Sequence, residues 1–230
     1  KESRVILGEP LEIKEATEGV LRREQGRNLA ILCKDEAYGL GMMLSAASSI
    51  ALQHHAEDLT IVVVDFLGDN SEYPGRWQAL NDTLPHEVTL VGKRKFTDIA
   101  GYVAGNITNC LEEDKPLEGN VLLVLNGLHK ARDLRDDAEL VDKLLNILRE
   151  GGDVGIHTLL WADSYENLTR SLGKSGLKDV DMRVAMTQNL EELRNVSGDF
   201  KIKSLKANQG IFVDLENNIL EKFMPFEVPD

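Results

Sequence analysis

The chain has 230 residues, 42% hydrophobic and 28% charged with few aromatics, a composition that suits one large globular domain. Its formal charge of −13 argues against a surface that grips nucleic acid as a whole. The apolar runs are too short and interrupted to span a bilayer, and no signal-peptide pattern opens the chain.

Cys33 and Cys110 lie far apart in apolar segments with no CxxC or Cys/His spacing, so they read as free thiols in a reducing cytoplasm, with no zinc. A start at Lys1 rather than methionine suits a processed product or a piece of a longer protein. The first segment, "RVILGEPLEI", reads as a hairpin with Gly8-Glu9-Pro10 as its turn. From Asn28 onward, strand-length apolar runs alternate with helix-patterned segments. Strands are expected at Asn28–Cys33, Leu59–Leu67, Val88–Gly92, Asn120–Asn126, Ile156–Asp163, Arg183–Gln188 and Gln209–Leu215. Helices are expected at Leu40–His54, Tyr73–Leu84, Phe96–Leu111, Ala138–Glu150 and Glu166–Leu172. The end, "GIFVDLENNILEKFMPFEV", reads as two strands around a turn at Glu216-Asn217-Asn218. Such alternation predicts an α/β domain with a mostly parallel sheet flanked by helices.

The stretch "NLAILCKDEAYGLGMML" has the strand–turn–helix layout of a phosphate-binding loop. A working loop needs glycines, a lysine for the β- and γ-phosphates and a hydroxyl for magnesium. Here the loop reads Cys33-Lys34-Asp35-Glu36-Ala37-Tyr38-Gly39-Leu40, in which Asp35 and Glu36 repel a polyphosphate and Gly39-Leu40 replace the lysine and hydroxyl. A second requirement is an acidic strand end for magnesium and water activation. The apolar run Val121–Leu125 ends instead in Asn126-Gly127, which carry no carboxylate. Both halves of the site are missing together, the pattern of a degenerate site.

The order of "VILGEPLEI", "NLAILCKDEAYGLG", "NVLLVLNGLHKARDL", "REGGDVGIHTLLWADS" and "NQGIFVD" resembles the motor domain of FtsK/SpoIIIE-type translocases, of the HerA-like P-loop ATPases. The resemblance spans essentially all of residues 1–230, and "GDVGIHTLLWADS" (Gly152–Ser164) is its most specific part. It implies a single RecA-like domain, a fragment or C-terminal module of a longer protein, with degenerate Walker A and Walker B motifs. It also places Asp163-Ser164 at the polar sensor position. The role implied is that of a non-hydrolysing ATPase-like module of a DNA translocase or related secretion motor. Its expected partners are other ATPase modules of the same chain or oligomer and a client protein, with DNA reached only through the parent and no membrane contact. No cofactor is expected. The alternative keeps ATP and magnesium, bound weakly through the backbone amides of residues 34–41. A third reading, an α/β enzyme of unrelated chemistry, shares only the architecture.

Other motifs carry less. "LGKSGL" (Leu172–Leu177) reads as a helix end followed by a turn, and "HKARD" (129–133) lacks the partners of a kinase loop. His54-His55 are expected to end a helix, Asp65 and Asp69 to be loop acids, and Trp77 and Trp161 to pack in the core or an interface. The basic groups Lys93-Arg94-Lys95 and Lys201/Lys203/Lys206 read as solvated.

Overall fold

Strands that are apolar along their whole length need cover on both faces, and the sheet of this protein is covered by helices on both. The computed structural model describes residues 2–229. In chain order the elements are β1 (Ser3–Pro10), β2 (Thr17–Leu21), β3 (Leu29–Cys33), α1 (Glu36–Ala51), β4 (Leu59–Asp65), α2 (Arg76–Thr83), β5 (Glu87–Gly92) and α3 (Phe96–Glu112). There follow β6 (Asn120–Asn126), α4 (Ala138–Val154), β7 (Ile156–Ala162), α5 (Tyr165–Leu172), β8 (Met182–Met186), α6 (Leu190–Ser197), β9 (Gly210–Asp214) and β10 (Ile219–Pro225).

The ten strands form one sheet in the order β2-β1-β10-β9-β8-β3-β7-β6-β4-β5. The run from β8 to β5 is parallel throughout. Strands β9, β10, β1 and β2 extend it with antiparallel pairings. β3 lies inside the sheet, and β6 runs parallel to it with β7 between them. The carboxyl ends of β3, β7, β6 and β4 therefore share one edge, where ligands of open α/β sheets sit.

Alternation along β3 divides the core. Ala30 and Leu32 face a layer built by α3, α4, α5 and α6, including Val103, Leu144, Leu168 and Leu193. Leu29, Ile31 and Cys33 face α1 and α2, with Met42, Met43 and Trp77. Both tryptophans are buried, as expected.

Four details depart from the sequence reading. Gly8-Glu9-Pro10 is not a turn: the three residues pair with Pro225, Met224 and Phe223 of β10, and the hairpin loop is residues 11–16. The first long helix begins at Glu36 rather than Leu40 and ends at Ala51, before His54. Strand β4 stops at Asp65, short of Leu67. Helix α6 is additional to the expected set, although Asn189 caps it through Glu191 N and Glu192 N and it carries acids in its first turn.

Candidate functional site

The early start of α1 reshapes the loop after β3. Of Cys33–Leu40, only Lys34 and Asp35 connect strand to helix, and Glu36 through Leu40 are helical. Asp35 is the N-cap: its Oδ1 accepts from Ala37 N at 2.9 Å, and its carbonyl accepts from Gly39 N at 3.0 Å. A carboxylate of the chain thus sits on the Ala37 amide at the helix N-terminus, the place an anion would take. Glu36 adds a second: its Oε1 accepts from Ser71 Oγ and, at 3.1 Å, from Glu72 N, tying the β4–α2 loop to the start of α1.

Gly39 is required by close approach, since a Cβ there would meet the Trp161 ring at 2.4 Å. Trp161 in turn donates from Nε1 to the Cys33 carbonyl at 2.8 Å, bracing the end of β3 from β7. Burial pushes the Cys33 thiol up to about 12, so it is an unreactive packed group. The free cysteine expected at that position is present, and Cys110 is free as well. Leu40 is only 1% exposed and belongs to the core, so it offers no contact area to a partner. Tyr38 packs partly against the same core, and its phenol is raised to about 12, first by hydrogen bonding to Glu227, then by burial. The chain end crosses this region, with Val228 N donating to the Ala37 carbonyl at 2.9 Å.

At the end of β6, Asn126 is 2% exposed and donates from Nδ2 to Asp65 Oδ1 at 2.9 Å. Its own Oδ1 is buried with no partner. Asp65 also accepts from Leu67 N at 3.1 Å, so it is a structural acceptor rather than an exposed loop acid. Gly127 follows as the first residue of a tight turn. Asp163 and Ser164 are engaged locally: both Asp163 oxygens accept from Asn167 Nδ2, at 2.9 and 3.0 Å, and Ser164 Oγ caps α5 through Asn167 N.

Beside these residues, on the carboxyl edge, lies a groove of about 590 Å³. Four carboxylates (Asp35, Glu36, Glu72 and Asp163) face Lys34 and Lys130, with Asn70, Leu67, His129 and Trp161 completing the wall. His129 Nδ1 is buried without a partner, and its ring meets Trp161 edge-on at 5.6 Å. Burial lowers the His129 pKa, an effect that the nearby Asp163 charge opposes. Of the residues singled out in the sequence, the groove brings together Lys34, Asp35, Glu36 and Asp163 and adds Glu72 and Asn70, while Asn126, Gly127 and Ser164 do not line it. No group of three or more His, Cys, Asp or Glu among the described residues is arranged to hold a metal ion.

The opposite edge of the sheet carries an anchor that sequence reasoning missed. Arg27 is fully buried and forks onto Asp214, Nη1 to Oδ1 at 2.9 Å and Nη2 to Oδ2 at 3.0 Å. Burial opposes ionisation of Asp214, but hydrogen bonds from Arg27 and Asn217 outweigh it and hold the carboxyl below its usual range. The "GIH" motif belongs to this anchor. Gly155 caps α4 at φ 93°, a left-handed conformation that suits glycine, and His157 Nδ1 lies 2.8 Å from the Arg27 carbonyl. Asn28 completes it, donating to the carbonyls of Leu148 and Asp179 and accepting from Thr158 N. Burial drives the His157 imidazole down to about 4, so it is neutral.

No family model matches the chain, and no curated protein does. Solved structures do match. The cytoplasmic domain of the Thermomonospora curvata type VII secretion ATPase EccC superposes with a TM-score of 0.70 at 17% identity, over 97% of this chain and 28% of that one. The pCW3 conjugation coupling protein TcpA, solved with ATPγS, gives 0.71 at 13% identity, over 100% of this chain and 67% of that one. Thermomonospora curvata EccC ATPases 2 and 3, in complex with a signal sequence peptide, give 0.64 at 14% identity, over 98% of this chain and 42% of that one. This chain thus spans only part of the length of each. No helix among the described residues is long and apolar enough to cross a membrane. The fold is the RecA-like α/β fold of FtsK/SpoIIIE-type ATPase domains.

Proposed function

We propose that this chain is a non-hydrolysing, ATPase-like module of a multi-module translocase or secretion motor, acting in assembly with other ATPase modules or in client binding. The observation that carries the reading is the Asp35 carboxylate on the Ala37 amide, with Glu36 beside it. The residues present do not fit a nucleoside triphosphate with magnesium. The amides that would cradle a phosphate are turned into helix, two carboxylates repel it, and the β6 end offers the Asn126 carboxamide in place of a carboxylate. Loss of such preorganised charge removes several kcal/mol of barrier lowering in comparable sites, about 3–4 for one donor alone.

An acid-rich groove is instead complementary to a basic protein segment. The EccC fragment bound to a signal sequence peptide supports a client role, and its two ATPase modules support a tandem arrangement. DNA contact, on this reading, belongs to the complete motor. The test is sedimentation of the complete polypeptide carrying Glu72→Lys and Asp163→Lys, with folding checked by circular dichroism. Loss of assembly or of client binding is expected; unchanged assembly and unchanged client binding would defeat the proposal. A second reading, weak nucleotide binding through the loop, draws on TcpA having been solved with ATPγS. Saturable Mg-ATP binding that Lys34→Gln abolishes would favour it.

A further inference from the structure

We propose that the turns closing β5 and β6 form an anion pocket that binds the phosphate group of a small molecule. The chain has 39 acidic against 26 basic residues, so four neighbouring cations with one acid are against its trend. Such a cluster surrounds a pocket of about 190 Å³: Lys93 and Arg94 from the turn after β5, Lys130 and Arg132 from the turns after β6, with Asp133 as the acid. Among the described residues none of the four cations takes part in a salt bridge, whereas Lys95 beside them is paired with Asp98 at 3.2 Å. Four exposed like charges lining one pocket repel one another, and an anion placed among them relieves that repulsion. Phe66 and Phe96, buried and in edge contact at 5.1 Å, form an apolar wall that strengthens a charge contact made against it. Phe96 also begins α3, and Lys95 at its N-cap makes no side-chain cap bond, which adds a weak positive end at the same place.

The ligand class follows from the charge count. A phosphate carries close to two negative charges at neutral pH and three acceptor oxygens, enough to engage Arg94, Arg132 and a lysine together, whereas one carboxylate leaves most of these donors unused. The cations converge on one pocket and do not line a track, which disfavours a polynucleotide. A neighbouring groove of about 500 Å³ shares Phe66, Lys93 and Arg94 and gives room for the remainder of a phosphate ester. The pocket is separate from the acidic groove that carries the proposed function, and only Lys130 is common to both. Because only Lys130 is shared, loss of Arg94 and Arg132 reports on this pocket and not on the acidic groove.

The experiment is calorimetric titration of the chain with inorganic phosphate, glucose 6-phosphate, a DNA duplex and polyglutamate, at low salt. It uses the chain itself, the variant Arg94→Gln/Arg132→Gln, and the charge-matched control Lys201→Gln/Lys203→Gln. Binding of phosphate or of the ester is expected, weakened about tenfold or more in the arginine variant and unchanged in the control. Tighter binding of the ester than of free phosphate would identify a phosphorylated metabolite; equal binding would identify phosphate itself. Equal weakening in both variants would reduce the effect to bulk charge and overturn the proposal. So would binding of the duplex or polyglutamate with none of phosphate, or no binding at millimolar phosphate.

Discussion

At the residue scale, the most informative side chains lie away from the loop that first draws attention. His157 is held neutral by burial, with its pKa pushed down to about 4 from an ordinary value near 6.5. In the unfolded chain it protonates as pH falls through about 6.5, while the folded protein resists until about 4. Stability present above pH 6.5 is therefore lost between those limits, by on the order of 3 kcal/mol from this group. Urea denaturation from pH 7.5 to 4 should show that decline, and His157→Gln should flatten it; equal slopes in both proteins would contradict the assignment. Arg27 is a second case. Removing it leaves the buried Asp214 carboxylate uncompensated, so Arg27→Leu should cost about 3–5 kcal/mol, while Arg27→Leu/Asp214→Leu should recover part of the loss. Denaturant midpoints of the two variants decide it. Neither partner is visible in the sequence, because 187 residues separate them and they lie near strand ends, Arg27 before β3 and Asp214 closing β9, where charges ordinarily face solvent.

At the element scale, the strands are the most legible feature. Continuous Val, Ile and Leu runs admit little else in an α/β chain, and β3, β6 and β7 form within a residue or so of their expected limits. The start of α1 differs from expectation for a specific reason. Asp35 and Glu36 read as charges hostile to phosphate, but an Asp followed by an acidic first turn is equally a helix-start signal. The length of a working phosphate loop does not fit where the capping residue has already ended it. Gly8-Glu9-Pro10 misleads in the same way: turn-forming residue types lie within β1, near its end. Leu40 shows the consequence. Set in the helix and 1% exposed, it is core, and Leu40→Ala should cost about 2–5 kcal/mol by thermal or chemical denaturation. A change under about 0.5 kcal/mol, typical of surface positions, would mean that it lies at the surface after all. Helix α6 escapes the sequence reading although its cap is present, because it is only 8 residues long and its buried apolar positions, Leu193 and Val196, are few.

At the scale of the whole molecule, the α/β class is legible from the alternation, whereas the sensor position of Asp163-Ser164 is legible only through the family resemblance. The chemistry of the carboxyl edge is legible only as absence. The edge carries a helix capped by Asp35, a loop tethered by Glu36, a Trp161 brace under Gly39, and an amide at Asn126 serving Asp65, all set by contacts between residues distant in sequence or by local capping. On the function proposed above, groups that would serve a nucleotide are replaced by ones that serve the fold; the edge carries an acid-rich groove and, beside it, a cluster of cations. The direct test is the rate of phosphate release from Mg-ATP by the purified chain at saturating nucleotide. The account predicts a rate indistinguishable from a protein-free blank. Magnesium-dependent turnover that Asn126→Ala abolishes, in a variant that still folds, would contradict it.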